Sequence, residues 1–364
     1  GRQELSFGSE WLIGTTDTAS FFTGQSFDAI RLDYATDMFS VAAWAAKLNE
    51  VGALEEDGDT DFYGVYASYT GLEDIAIDAY WLLVRDAFSL NDTQFVWFPE
   101  WIENVLDLDD YDPTYLHTVG LRGAGTIGAF DFEVEGAYQF GDADVVGFSF
   151  VPFGFLYADD DADYDGNWAV NAEVGYTFDM AYQPRVFIGG AYFTGEDNRD
   201  LSFWEWLNPF DRPDASVSFN RLFSNWEYSP ILDDASMTNM WLGRAGVSAM
   251  PTESVTVSFT GTYFQTLETF DVPRYIKLGR YRVPLNTPWS FWTQEGDDSI
   301  GWELGLSAKY DYSEDLSFEA GWTHLFVGDG LKDGAFTQSN GLVFSGGSSD
   351  DDADYVYLES RLSF

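Results

Sequence analysis

Apolar and polar residues alternate along much of this chain. Trp168, Val170, Ala172, Val174, Tyr176 and Phe178 take turns with Ala169, Asn171, Glu173, Gly175 and Thr177, a period of two that predicts a strand with unlike faces. Upstream, Phe130, Phe132, Val134, Tyr138 and Phe140 interleave with Asp131, Glu133, Glu135 and Gln139. Within Ile300 to Asp311, Trp302, Leu304, Leu306 and Ala308 interleave with Glu303, Ser307 and Lys309. A soluble β-sandwich alternates in the same way, so the pattern alone leaves two architectures open.

The rhythm of the connections separates them. Strands are predicted near 1–7, 27–35, 39–48, 60–69, 73–85, 114–126, 128–140, 167–178, 184–194, 238–250, 253–268, 299–311, 314–327 and 353–364. Gaps after the even-numbered strands are short turns, as at Gly71-Leu72, Met250-Pro251-Thr252 and Ser313. The intervening gaps are much longer. Short and long connections in strict alternation are the signature of periplasmic turns and extracellular loops. The predicted fold is therefore all-β, an antiparallel transmembrane β-barrel with about fourteen strands in this chain, short periplasmic turns and long acidic extracellular loops. The last segment agrees: Val356, Leu358, Leu362 and terminal Phe364 share one face, against Tyr357, Glu359 and Arg361.

Composition narrows the chemistry. With no Cys and only His117 and His324 among 364 residues, disulfides, thiolate metal sites and Cys nucleophiles are excluded, and little imidazole chemistry is left. A net charge of −45 disfavours nucleic acid as a partner. No apolar run approaches the ~18 residues of a membrane helix. No charged and then apolar leader opens the chain, which reads as mature or incomplete. The 32 Phe, 21 Tyr and 14 Trp suit aromatic girdles at the lipid headgroups. The expected location is the outer membrane of a Gram-negative-type bacterium, as an integral multi-pass protein. The expected partners are outer-membrane lipid, lipopolysaccharide and the barrel assembly machinery.

Several blocks carry a resemblance. Gly1-Arg2-Gln3-Glu4-Leu5, Leu12-Ile13-Gly14 and Ser26-Phe27-Asp28-Ala29-Ile30-Arg31-Leu32 resemble the GRQEL, LIG and SFDGVRL block of alginate export family outer-membrane barrels. Tyr176-Thr177-Phe178, Gly189-Gly190-Ala191-Tyr192, Phe219-Asn220-Arg221-Leu222-Phe223 and the strand around Asn239 look like later blocks of that family. The resemblance implies a monomeric barrel of about eighteen strands in which this block is preceded by further strands rather than standing at the start. Residues 1–364 are accordingly expected to be a single barrel domain that lacks about four N-terminal strands; the alternative is that fourteen, an even number, close by themselves.

If the apolar register faces lipid, the lumen receives Arg2, Glu4, Arg31, Asp33, Asp74, Asp78, Arg122, Asp131, Glu133, Glu135, Asn171, Glu173, Arg185, Arg244, Glu303, Lys309, Glu319, Glu359 and Arg361. By resemblance, Arg2 and Arg31 belong to a basic constriction for a polyanion. Arg122, Arg185, Arg244 and Arg361 join them from parity alone, and the excess of acids argues against a strongly electropositive conduit. The implied function is a passive channel of the alginate export type, without a cofactor, that moves a polar or anionic solute such as a polysaccharide. The alternatives are a general acidic, cation-preferring porin, or a structural barrel that sheathes or anchors a surface or periplasmic protein partner.

Three further features stand out. Asp161, Asp163 and Asp165 before Gly166 spell the first half of a calcium loop, although Ala172 occupies the position of its final Glu; Ca2+ is the candidate ligand there. Arg274, Lys277, Arg280 and Arg282, interleaved with Tyr275 and Tyr281, form a basic cluster suited to the pore mouth or to lipopolysaccharide phosphates. The aromatic-rich stretch Asn198 to Asp234 packs on a partner or folds inward as a plug. No enzyme is expected: there is no G-x-S-x-G elbow, and His324 reads as an interfacial residue of the upper girdle.

Overall fold

The computed structural model describes residues 1–14, 26–50, 59–87, 114–142, 147–151, 154–158, 162–195, 215–216, 218–232, 237–269, 271–273, 275–278, 281–284, 293–295, 297–333, 337–338, 342–343 and 351–362. Its main sheet is an antiparallel meander of β1 (Arg2–Gln3), β2 (Phe27–Ala35), β3 (Phe39–Asn49), β4 (Thr60–Leu72), β5 (Ile75–Asp86), β6 (Thr114–Ile127), β7 (Phe130–Asp142), β8 (Ala162–Thr177), β9 (Arg185–Phe193), β10 (Met240–Thr252), β11 (Val255–Thr266), β12 (Ser299–Asp311), β13 (Leu316–Val327) and β14 (Ala353–Leu362). Each strand pairs with its neighbour in sequence, and the two-residue strand Ala215–Ser216 adds a short parallel pairing to β8. β1 and β14 are not hydrogen-bonded to each other, so these fourteen strands do not close on themselves.

Short and long connections alternate as the sequence predicts, but two turns fall later than expected. Gly71-Leu72 and Met250-Pro251-Thr252 still belong to β4 and β10, whose pairings slip between Tyr69 and Leu72 and between Ala249 and Thr252. These bulges carry β4 three residues and β10 two residues further before they reverse. The first strand is also shorter than predicted. After Gln3 the chain leaves the sheet, and Leu5, Trp11, Leu12 and Ile13 are buried.

One face of the sheet is apolar and exposed, with Ile30, Leu32, Leu121, Ile188, Leu306, Val356 and Leu358 along it. Aromatic residues bound that face above and below. Tyr138 and Phe130, Trp168 and Tyr176, Trp302 and Tyr310, and Phe326 and Phe318 each stand eight positions apart on their strands. Tyr138 pairs with Trp168, and Phe130 with Tyr176; Trp302 pairs with Phe326, and Tyr310 with Phe318. Eight strand residues span about 26 Å, or roughly 20 Å along the membrane normal at the usual tilt, near the apolar height of an outer-membrane barrel. Both His belong to the upper girdle. His117 stacks on Phe140, and His324 contacts Phe326 while Asp354 holds its Nδ1 at 2.9 Å. Leu121, 66% exposed between the girdles, gives a direct test of this orientation. Leu121→Arg is expected to destabilise the barrel by about 2–4 kcal/mol in bilayers, measured by denaturant titration in lipid, because it sets a cation in hydrocarbon.

The opposite face encloses a core. Phe27, Trp44, Phe62, Leu82, Ala137, Ala169, Phe193, Leu242, Phe264 and Ile300, contributed by ten strands, pack into one cluster with Leu5, Trp11, Leu12, Ile13, Phe219 and Tyr228. Strands from β2 to β12 thus meet the same small body, so the sheet is curled around it.

Candidate functional site

The enclosed body consists of two arms far apart in sequence. Residues 5–14 follow β1, and residues 218–232 precede β10. They are stitched together by backbone bonds from Phe223 N to Leu12 O (3.0 Å), Gly14 N to Phe223 O (2.8 Å) and Asn225 N to Glu10 O (3.0 Å), around a parallel bridge between Ile13 and Phe223. Trp11 lies at the centre. Its ring meets Phe193 and Phe219, and its Nε1 donates to the Tyr228 hydroxyl at 2.8 Å.

Polar ties fasten this plug to the wall. Tyr228 donates onward to Asn171 (3.0 Å), Ser9 to Glu135 (3.3 Å) and the Ser229 hydroxyl to Glu303. Gln139 clasps Asn220 twice, donating to its carbonyl and accepting from its N–H, both at 2.7 Å. Phe7 stacks on Trp44 and Tyr66, while the Arg31 guanidinium lies 5.1 Å from its ring centroid. Arg221, 2% exposed, sits over Phe193 and Tyr228 and donates to the Trp226 carbonyl. The inward half of the Asn198 to Asp234 stretch is therefore this second arm; residues 198–214 lie outside the described residues.

The plug occupies the half of the lumen near the long connections, where the inner wall mixes apolar side chains with buried polar ones such as Gln139, Asn171 and Glu303. Towards the short turns the wall becomes charged. Arg122 bonds Asp78 (2.9 Å) and Glu133 (3.2 Å) and lies 3.9 Å from Glu135; Tyr66 and Tyr80 donate to Asp78 and Glu135. Arg185 bonds Asp131 and Glu173, the latter at 2.9 Å. Arg244 lies 3.6 Å from Glu173, and the Phe187 ring stands 5.2 Å from the Arg185 and Arg244 guanidinium carbons alike. Arg31 bonds Asp33 (2.7 Å), Lys309 meets Asp311 (3.1 Å), Arg361 bonds Glu359 (2.9 Å) and Tyr357 donates to Glu319 (2.6 Å). The cations found by parity thus stand on the inner face, each beside a carboxylate rather than along an open basic rail.

Three expected lumen positions differ. Arg2 pairs with Asp28, on the face that carries Ile30 and Leu32, because β1 enters in a register that points Gln3 inward. Glu4 is exposed beyond the end of β1, and Asp74 sits in the β4–β5 turn with φ 57°. Arg2 begins an outer row at the upper rim. Arg2, Asp28, Lys47, Asp61 and Arg85 stand opposite one another on five successive strands, with Lys47 2.7 Å from both Asp59 and Asp61. Sequence reading missed this row, although its sign alternation becomes visible once the strands are aligned.

The expected calcium loop is in part a strand. Asp163 and Asp165 belong to β8, whose pairing with β7 is shifted between Tyr164 and Asn167 and whose Gly166 has φ 69°; Asp161 lies outside the described residues. Lys277 and Arg282 face each other across a hairpin of Tyr275–Leu278 and Tyr281–Pro284; Arg274 and Arg280 lie outside the described residues. His324 stands between Leu304 and Asp354 in the sheet.

Residues 1–344 match the family described as Alginate export. The chain belongs to that family. It is thereby an integral outer-membrane β-barrel protein, which accounts for the outward apolar band and girdles. No curated protein matches the chain. Among solved structures, a mutant ferric enterobactin receptor (PfeA) from Pseudomonas aeruginosa is 8% identical, with 85% of this chain and 42% of the receptor covered at a TM-score of 0.43. OccK8 (OprE) from Pseudomonas aeruginosa is 12% identical, with 90% and 73% covered at 0.44. A Pseudomonas aeruginosa FadL homologue is 12% identical, with 87% and 73% covered at 0.38. This alginate export chain spans less than half the length of the receptor chain, and likenesses at these scores carry nothing about function.

Proposed function

We propose that this chain is a passive outer-membrane export channel for a polar solute, gated by the two-armed plug. The carrying observation is the divided lumen: one half filled by residues 5–14 and 218–232, above a charged vestibule at the short-turn end. Solute enters the vestibule from the periplasm and passes when the arms part. The polar ties to Glu135, Asn171, Glu303 and Gln139 hold the closed form in register, and they are the bonds that opening must exchange for water. No nucleotide-binding phosphate loop occurs in the sequence, so the driving force is a gradient or a periplasmic partner.

A disulfide between Ile13→Cys and Phe223→Cys tests the gate. The two are bridge partners, and no native Cys competes. In planar bilayers the oxidised protein is expected to stay shut, and reductant to restore intermittent current. Equal currents in both states would reject gating by separation of the arms. A protein silent under every condition would reject the channel.

A further inference from the structure

We propose that Lys47 and Arg85 seat the phosphates of an outer-leaflet glycolipid on the outward rim of β3 to β5. The inference uses only the lipid-facing side and is independent of the gate. The pairs Asp28–Lys47, Lys47–Asp61, Asp61–Arg85 and Arg85–Tyr115 run in one line across β2 to β6, at the end of the long connections. Two residues lower on each strand the line reads Ile30, Ala45, Tyr63, Leu83 and His117, and continues to Phe140 in the girdle. That step is about 7 Å of strand, so the charges stand just above the hydrocarbon, where lipid headgroups begin.

The row mixes both signs but does not present them equally. The Asp59 and Asp61 side chains are 12% exposed, against 39% for Lys47 and 23% for Arg85, so the carboxylates are tucked beneath the cations. Lys47 spends two of its three N–H donors on Asp59 and Asp61, each at 2.7 Å, which leaves one. Arg85 stands 3.8 Å from Asp61, too far for a hydrogen bond, and its bond to the Tyr115 side chain leaves most of its five donors unused among the described residues.

Lys47 and Arg85 lie two strands apart, about 10 Å, a span that suits a disaccharide with a phosphate at either end. A chain of net charge −45 repels anionic headgroups as a whole, so local cations decide where one binds. The outward rim of β13 and β14 offers the reverse, with Asp352 and Asp354 around His324. A phosphorylated lipid is therefore held on one side of the barrel. One cation near a charged lipid surface favours binding about fivefold; two give roughly thirtyfold, which salt reduces to about tenfold.

Native mass spectrometry tests this on the full chain, released from micelles that contain bisphosphorylated lipid A or its dephosphorylated form. The phosphorylated lipid is expected to be retained about tenfold better. Lys47→Gln with Arg85→Gln is expected to lose that preference, and Asp352→Asn with Asp354→Asn to keep it. Arg85→Gln alone breaks no bonded carboxylate, so a loss of about threefold there decides the matter if the double variant fails to fold. Equal retention of both lipids, or a preference that survives loss of the two cations, overturns the inference. Inorganic phosphate that displaces the lipid at equal concentration overturns it in favour of a simple phosphate site. A dimer that dissolves in the double variant overturns it in favour of a second copy of the chain.

Discussion

Shortening Trp11 to alanine is expected to raise the time-averaged conductance by about 100-fold. Trp11 is 1% exposed and joins the arms through Phe219, Tyr228 and the wall residue Phe193. A large-to-small change at such a site costs about 3 kcal/mol or more, and here the loss falls on docking of the plug rather than on the sheet ladders. Each 1.4 kcal/mol is a factor of about ten, so the docked form loses about two decades of advantage. Single-channel recording measures the open fraction directly. An unchanged open fraction, with the barrel intact by heat-modified gel migration, would mean that the plug does not set the closed state.

Arg122→Ala is expected to be the most destabilising wall substitution, at about 3 kcal/mol. Its side chain is 13% exposed and faces Asp78 and Glu135, at 4% and 5%. Removing the cation leaves Asp78 and Glu135 buried with hydroxyl donors alone and no opposite charge, which costs far more than the pair contributes over an apolar replacement. The control is Arg361→Ala, whose half-exposed pair with Glu359 should matter by less than about 1 kcal/mol. Urea unfolding in detergent micelles distinguishes them; equal midpoints would place Arg122 in a wet, weakly coupled site.

The wall was legible because β-structure in a bilayer writes itself with period two. From Phe130 to Phe140 every outward residue is apolar apart from Gly136, and the inward set is polar apart from Ala137, so sheet and face follow together. Arg2 escaped that logic. A two-residue strand has no periodicity of its own, and only its pairing with Asp28 shows which way it points. The plug was illegible for a related reason: residues 5–14 and 218–232 carry no repeat, and Trp11, Phe219 and Trp226 look the same in a loop, a girdle or a core. The carboxylate partners of Arg122 and Arg185 needed register, which alternation does not supply. The inward-facing acids, by contrast, were visible from parity at once.

The seal joins Trp11 to Tyr228 across 217 positions of chain, and Ser229 to Glu303 across another 74. Contacts of that range form late, after the entropy of closing large loops has been met. A barrel halted partway through insertion would therefore hold an unsealed lumen. Tightness against leakage is, in this chain, a property that only the finished fold acquires.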